Sequence, residues 1–275
     1  MSNLEVPGAR LYCEVRGSGP PLLMIAGASG SADAFNAVAE RLAAHFLVIT
    51  YDRRGFSRSQ LDGPQDDTHR LQADADDARR LIEYVSNQPA IVFGASSGAI
   101  VALELLTGHG SVVRLLVPFE PPTVKLLPDG QKWLDFFSDL YDVYCHVGVE
   151  PALRKFREQV LTASDRQALT RAMAQAERAQ RVANATYWFE HELRQYPAVD
   201  LDLLALKLRA DRVVPMVGRE SRGFPAHEAT VELARRLGRD MIALPGGHLG
   251  FLRQPAEFAR ALREGVPPQR EAARA

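Results

Sequence analysis

Gly94-Ala95-Ser96-Ser97-Gly98 sets a serine between two glycines, after the apolar run Ala90-Ile91-Val92-Phe93 and before the apolar stretch from Ala99 to Leu106. A strand, a tight turn and a helix in that order lift a hydroxyl onto a sharp bend, where it can act as a nucleophile once a base takes its proton. Gly94 and Gly98 carry no Cβ, so strand and helix can approach closely. The helix N-terminus behind the turn offers free N–H groups and the positive end of a dipole, which suits a developing oxyanion. The bland alternative for Ser96 is a turn serine that caps the following helix. A pentapeptide this short is a weak signal by itself, so its neighbours must carry the reading.

The same five residues resemble the glycine-rich turn that cradles a dinucleotide in short-chain dehydrogenases. That turn usually adds a glycine two residues on, where this chain has Ile100, and none of the seven tyrosines is followed four residues later by lysine. It also follows the first strand of its domain, whereas about ninety residues come first here, so the nucleophile reading is preferred.

A base has to come from elsewhere. Of the seven histidines only His248 follows a terminal strand in a glycine-rich turn, Gly246-Gly247-His248. His45, His69, His109, His146 and His227 read as surface residues. His191 reads as exposed polarity beside Tyr187 and Trp188. Glu120 ends the run Leu115-Leu116-Val117-Pro118-Phe119, and Glu220 lies in Gly218-Arg219-Glu220-Ser221. Pro121 is expected to bias Glu120 towards an extended backbone.

The elements around these residues alternate. Buried-strand candidates are Pro21 to Ala26, Phe46 to Tyr51, Val112 to Phe119, Val213 to Val217 and Met241 to Leu244. Between them lie helical patterns, such as 71–85 with apolar residues at 71, 78, 81, 82 and 85. Such alternation predicts a mostly parallel sheet with helices on both faces. It stops at Glu120-Pro121-Pro122 and resumes near Arg212. In between, helices are expected around 133–144 and 151–160. A long one should run from a capping box at Ser164 and Gln167 towards Phe189. Ten of the chain's 21 aromatic residues fall between 133 and 196, which suits a helical lid with an apolar underside. Phe136, Tyr141, Tyr187, Trp188 and Leu249 are the expected pocket residues. The domain boundaries expected are a core of 1–121 and 205–265, a helical cap of 122–204 and a flexible tail of 266–275.

Composition narrows the function classes. The chain has 275 residues, a net charge of −1 and scattered basic residues, so nothing favours nucleic acid or an anionic membrane. No run of about 18 apolar residues is present, so no membrane span is expected. The two cysteines, Cys13 and Cys145, show no metal spacing and no disulfide framework. With no basic patch and apolar stretch at the N-terminus, a cytoplasmic, reducing location is expected.

Taken together, these motifs resemble the α/β-hydrolase family over about residues 4 to 264. The matching pieces come in the family's order: Ile25-Ala26-Gly27-Ala28 after an early strand, Asp52-Arg53-Arg54-Gly55-Phe56-Ser57-Arg58-Ser59 after the next, the serine turn, a helical insertion, and Pro245-Gly246-Gly247-His248 after the last strand. The resemblance implies an α/β fold with a mostly parallel eight-stranded sheet, a helical cap inserted after strand 6, and a site at the strands' C-terminal edge. It also implies the chain order serine, acid, histidine, which makes Ser96 the nucleophile and His248 the base. The family usually carries its acid after the seventh strand, where this chain has Ser221, with Glu220 one residue early. Relatives such as haloalkane dehalogenases carry it after the sixth, which is the place of Glu120. Glu120 is preferred and Glu220 stays open. The implied oxyanion hole is the backbone N–H of Ser97 and of Ala28, although the family's histidine before Gly27 is Ala26 here. Asp52 and its arginines read as turn architecture.

The resemblance therefore implies a serine hydrolase for a small or medium apolar carboxylic ester or lactone, with no metal or organic cofactor. A small-molecule substrate is the expected partner, and the chain could be a monomer or a homodimer. The same machinery also serves cofactor-free haloperoxidases, C–C hydrolases and biosynthetic lyases or cyclases, and a non-catalytic ligand-binding homologue would keep the fold.

Overall fold

The computed structural model describes residues 1–174 and 177–267. Eight strands lie along one sheet: β1 (Ser2–Val6), β2 (Ala9–Arg16), β3 (Pro21–Ile25), β4 (Leu47–Tyr51), β5 (Ala90–Ala95), β6 (Val113–Phe119), β7 (Met216–Gly218) and β8 (Ile242–Leu244). Their spatial order is β1-β2-β4-β3-β5-β6-β7-β8, and a two-residue strand, Gln60–Leu61, adds to the side of β2. From β4 to β8 every pairing is parallel, while β1–β2 and β2–β4 are antiparallel. The first two strands form a hairpin about Gly8, whose φ of 76° suits glycine. That hairpin carries none of the long apolar runs that mark the central strands.

β3 and β5 are buried along their whole length, as parallel strands covered on both faces must be. Alternate residues feed two cores. Leu23, Ile25 and Val92 pack under α2 (Arg70–Val85) and α3 (Ser97–Gly108). Leu22, Met24 and Phe93 pack against α1 (Asn36–Leu42) and, at the far end of the chain, α11 (Pro255–Gly265). Between β6 and β7 come α4 (Gly130–Val147), α5 (Val149–Val160), α6 (Ala163–Ala174), α7 (Arg178–His191) and α8 (Leu203–Lys207). A third core of Phe137, Leu140, Ala152, Trp188 and Phe189 joins the first of these helices to Phe56 of the loop after β4. By Tyr196 and Leu206 the chain has returned to the α2–α3 side of the sheet. The chain then forms α9 (Pro225–Leu237), ended by left-handed Gly238, and α10 (Gly250–Arg253).

Two element readings change. The single helix expected from Ser164 to Phe189 is two, and the cap is Thr162. The Thr162 hydroxyl accepts the N–H of Asp165 at 3.0 Å, whereas the Ser164 hydroxyl donates to Glu220 at 2.8 Å. The strand expected at 213–217 begins at Met216, because Pro215 offers no N–H to the ladder and Val213 makes only an isolated bridge to Leu116. Most of the tail expected at 266–275 lies outside the described residues.

Candidate active site

Ser96 sits between β5 and α3 with φ 56° and ψ −127°, one of three non-glycine residues at positive φ among the described residues. Its side chain makes no capping bond to α3, which removes the bland alternative. The turn is tight enough to need both glycines: a Cβ on Gly94 would lie 2.4 Å from the carbonyl oxygen of Gly98, and one on Gly98 would lie 2.3 Å from that of Ile25. The Ser96 N–H is held by the carbonyl of Phe119 at 2.9 Å, so the end of β6 steadies the turn. Ala28 and Ser97 both border the space in front of Ser96. Among the described residues neither of their backbone N–H groups donates to a protein acceptor.

The loop that carries Ala28 is braced from below. Arg53 Nη2 donates to the Gly27 carbonyl at 3.0 Å, and the same guanidinium meets Glu192 at 2.7 Å and Asp74 at 3.1 Å. Arg70 joins this buried cluster through Glu192. Burial works against the Arg53 charge, but the facing carboxylates of Glu192 and Asp74 overcome it and raise its pKa. Asp52 behaves as turn architecture, accepting the N–H groups of Ala32 at 2.8 Å and Arg58 at 3.0 Å.

His248 meets Glu120. The imidazole Nδ1–H donates to Glu120 Oε2 at 2.6 Å, while Glu120 Oε1 accepts the Gly218 N–H at 2.8 Å. Glu120 is 1% exposed. Its backbone is at φ 48°, not extended as Pro121 led us to expect. The N–H of Glu120 donates to the carbonyl of Met216 at 3.2 Å, and together with the two carboxylate contacts this holds the residue in the left-handed region. With Nδ1 committed as donor, the Nε2 lone pair is the ring's basic site. Burial opposes the imidazolium, yet the hydrogen bond and charge of Glu120, with the charge of Asp165, raise the His248 pKa above the ordinary 6.5. Glu220 stands apart: it is exposed and pairs with Ser164 and Arg253. Ser221, at the family's usual acid position, is buried with its hydroxyl unpartnered.

Asp165 was not anticipated. It lies on α6, is 0% exposed, and accepts the backbone N–H groups of His248 at 3.1 Å and Leu249 at 2.9 Å. Its own carboxylate is steadied by the Thr162 hydroxyl at 2.8 Å. The signal in the sequence was Thr162-x-x-Asp165, a capping pattern whose acid can reach out of the helix.

Ser96 and His248 both line a cavity of about 230 Å³ and a smaller one of about 40 Å³ beside it. No hydrogen bond joins the Ser96 hydroxyl to the imidazole, a separation common in unliganded sites. The larger cavity is bounded by the sheet edge below and by the inner faces of α5, α6 and α7 above. Of the expected pocket residues, Trp188 and Leu249 line it. Phe136, Tyr141 and Tyr187 lie outside both cavity walls. Phe136 packs between Trp133 and Phe137, Tyr141 lies under Arg194, and the Tyr187 hydroxyl takes a hydrogen bond from Arg70. Phe156, Leu153 and Met173 supply the apolar wall instead. Among the described residues no cluster of histidine, cysteine or acidic side chains could hold a metal ion. No helix there is long and apolar enough to cross a membrane.

A family model described as "Alpha/beta hydrolase family" matches residues 22–261. The chain is 32% identical over 273 residues to an uncharacterized hydrolase, YraK, of Bacillus subtilis (strain 168), covering 98% of this chain and 96% of that one. Among solved structures it is similar to a thermophilic esterase from Thermogutta terrifontis, with a TM-score of 0.76 and 19% identity over 96% of this chain and 97% of the other. It is also similar to the enol-lactonase from Burkholderia xenovorans LB400, with a TM-score of 0.73 and 16% identity over 96% and 99%. At these identities the two structural likenesses speak for a shared fold.

Proposed function

The chain belongs to the alpha/beta hydrolase family and is a hydrolase acting on small molecules, and from that premise we propose that it cleaves a small or medium apolar carboxylic ester or lactone through an acyl-enzyme on Ser96. The observation that carries the reading is the 2.6 Å contact between His248 Nδ1 and Glu120, made by a histidine that shares a cavity wall with Ser96.

In this reading Ser96 Oγ attacks the carbonyl carbon while His248 Nε2 takes its proton. Glu120 holds the ring in the required tautomer and stabilises the imidazolium that forms. The N–H groups of Ala28 and Ser97 receive the oxyanion, each worth about 3 kcal/mol in the transition state. His248 then gives its proton to the leaving alkoxide. Water, deprotonated by the same imidazole, attacks the acyl-enzyme; the bond from Ser96 Oγ to the acyl carbon breaks, His248 returns the proton to Ser96 and the acid is freed. The helices α4 to α7 act as a cap whose apolar inner wall holds the acyl portion and limits its size. The free amides of Ala28 and Ser97 and the left-handed backbone at Ser96 support these roles.

The test is covalent labelling. A fluorophosphonate should modify wild-type protein at Ser96, as read by peptide mass, and 4-nitrophenyl esters should be turned over with the same sensitivity to Ser96→Ala. A folded wild-type protein that is neither labelled nor active would overturn the proposal.

A further inference from the structure

Arg157 on α5 and Arg181 on α7 face into the larger cavity. Helical spacing puts them there: Glu150, Leu153 and Arg157 share one stripe of α5, and Arg181, Ala185 and Trp188 share one stripe of α7. Leu153 and Phe156 of α5 and Val182, Ala185 and Trp188 of α7 make the wall around them mainly apolar. Both arginine side chains are half-buried, whereas among the described residues the buried arginines are paired with carboxylates, Arg53 and Arg70 with Glu192 and Arg54 with Asp77. Arg157 and Arg181 differ. Among the described residues neither guanidinium has a hydrogen-bond or salt-bridge partner, and Arg181 Nε is buried with none. Burial pulls the Arg157 pKa down; the charge of Glu150 opposes this, and that of Arg181 adds a smaller downward push. Two guanidiniums with no hydrogen-bonded carboxylate among the described residues therefore line one mainly apolar cavity wall, where a bound anion would give both a partner.

We infer that Arg157 and Arg181 form an anion subsite, and that the substrate is an ester or lactone whose apolar portion carries a carboxylate remote from the reacting carbonyl. The charge count favours a monoanion: two guanidiniums against Glu150 leave the upper wall with one net positive charge. A guanidinium pair also matches a carboxylate in geometry, each fork offering parallel N–H donors. This inference rests on the ester-hydrolase reading for its carbonyl, but not for its anion.

Two measurements keep those parts separate. The first compares kcat/KM for the mono-4-nitrophenyl ester of adipic acid, which carries a free carboxylate, with its methyl-capped neutral form. Wild-type protein should prefer the charged ester by about tenfold or more, and the ratio should fall to about one or below in Arg157→Met/Arg181→Met. Each single substitution should lower it part of the way, which covers the case in which the double variant does not fold. Turnover of both esters without a preference for the charged one would overturn the subsite and leave the hydrolase reading standing. The second is calorimetric binding of monomethyl adipate and dimethyl adipate to Ser96→Ala protein. Tighter binding of the monoanion, lost with the arginines, supports the subsite even if no ester is turned over. Equal binding of the two overturns it.

Discussion

The carboxylate of Asp165 holds the backbone nitrogen of His248 at 3.1 Å, across 83 positions of sequence. The two are packed so closely that a Cβ on the intervening Gly247 would lie 2.3 Å from Asp165 Oδ2. One buried acid on α6 thus sets the height of the histidine loop.

Asp165→Ala should leave two N–H groups without an acceptor and destabilise the protein by about 2–4 kcal/mol, measured by urea unfolding. Asp165→Asn keeps one acceptor and should cost less. Both remove a negative charge that raises the His248 pKa, so the acid limb of the rate profile should move to lower pH. A purely structural Asp165 would leave that limb where it is.

Glu120→Gln and Glu220→Gln should separate the two carboxylates. The first should lower kcat for 4-nitrophenyl esters by about three to four orders of magnitude, because an amide no longer fixes the tautomer or stabilises the imidazolium. The second alters an exposed residue paired with Arg253 and should change kcat by no more than about twofold. Equal losses would remove Glu120 from its proposed role.

The direction of the His248 shift fixes a sign. The base works only when neutral, so kcat/KM should fall on the acid side of a midpoint above 6.5. Folding favours the protonated ring for the same reason. This group's contribution to stability is full below the unfolded value near 6.5 and is lost as pH rises through the folded one. A rate midpoint at or below 6.5 would contradict the geometry around Nδ1.

Glu192→Ala, at the wall of the smaller cavity, should be among the changes most damaging to stability. It removes one of the two carboxylates that face Arg53 and Arg70, leaving Asp74 alone against two buried guanidiniums. An uncompensated buried charge of this kind costs about 3–5 kcal/mol, which a urea or thermal melt would read directly. Glu192→Gln, which can still accept hydrogen bonds, should lose less.

Short-range features were legible in the sequence. Ser96 could be found because its glycines, strand and helix are contiguous, and the parallel sheet because β3 and β5 are unbroken apolar runs. The β1–β2 hairpin went unread for lack of such a run. Preferring Glu120 as the partner of His248 took a resemblance, since nothing local distinguishes it from Glu220; the Gly218 amide that Glu120 accepts lies 98 positions away. Asp165 is hidden in the same way. Of the expected pocket residues Trp188 and Leu249 line the larger cavity, while Phe136, Tyr141 and Tyr187 do not, Tyr187 for an angular reason. Tyr187 and Trp188 are neighbours in sequence, but one position turns a helix by about 100°, which sends Trp188 to the cavity and Tyr187 to Arg70. The stripe with Leu153 and Arg157 could have been read from its spacing, but aromatic density drew attention to α4 instead.

The backbone at Ser96 has a last implication. A residue bearing a Cβ at φ 56° carries about 1–3 kcal/mol of conformational strain that glycine would relieve. Ser96→Gly should therefore melt later than the parent while doing no chemistry. A screen of substitutions ranked for endurance and another ranked for turnover would disagree at this position, and the disagreement would point to the reactive centre before any natural substrate is known.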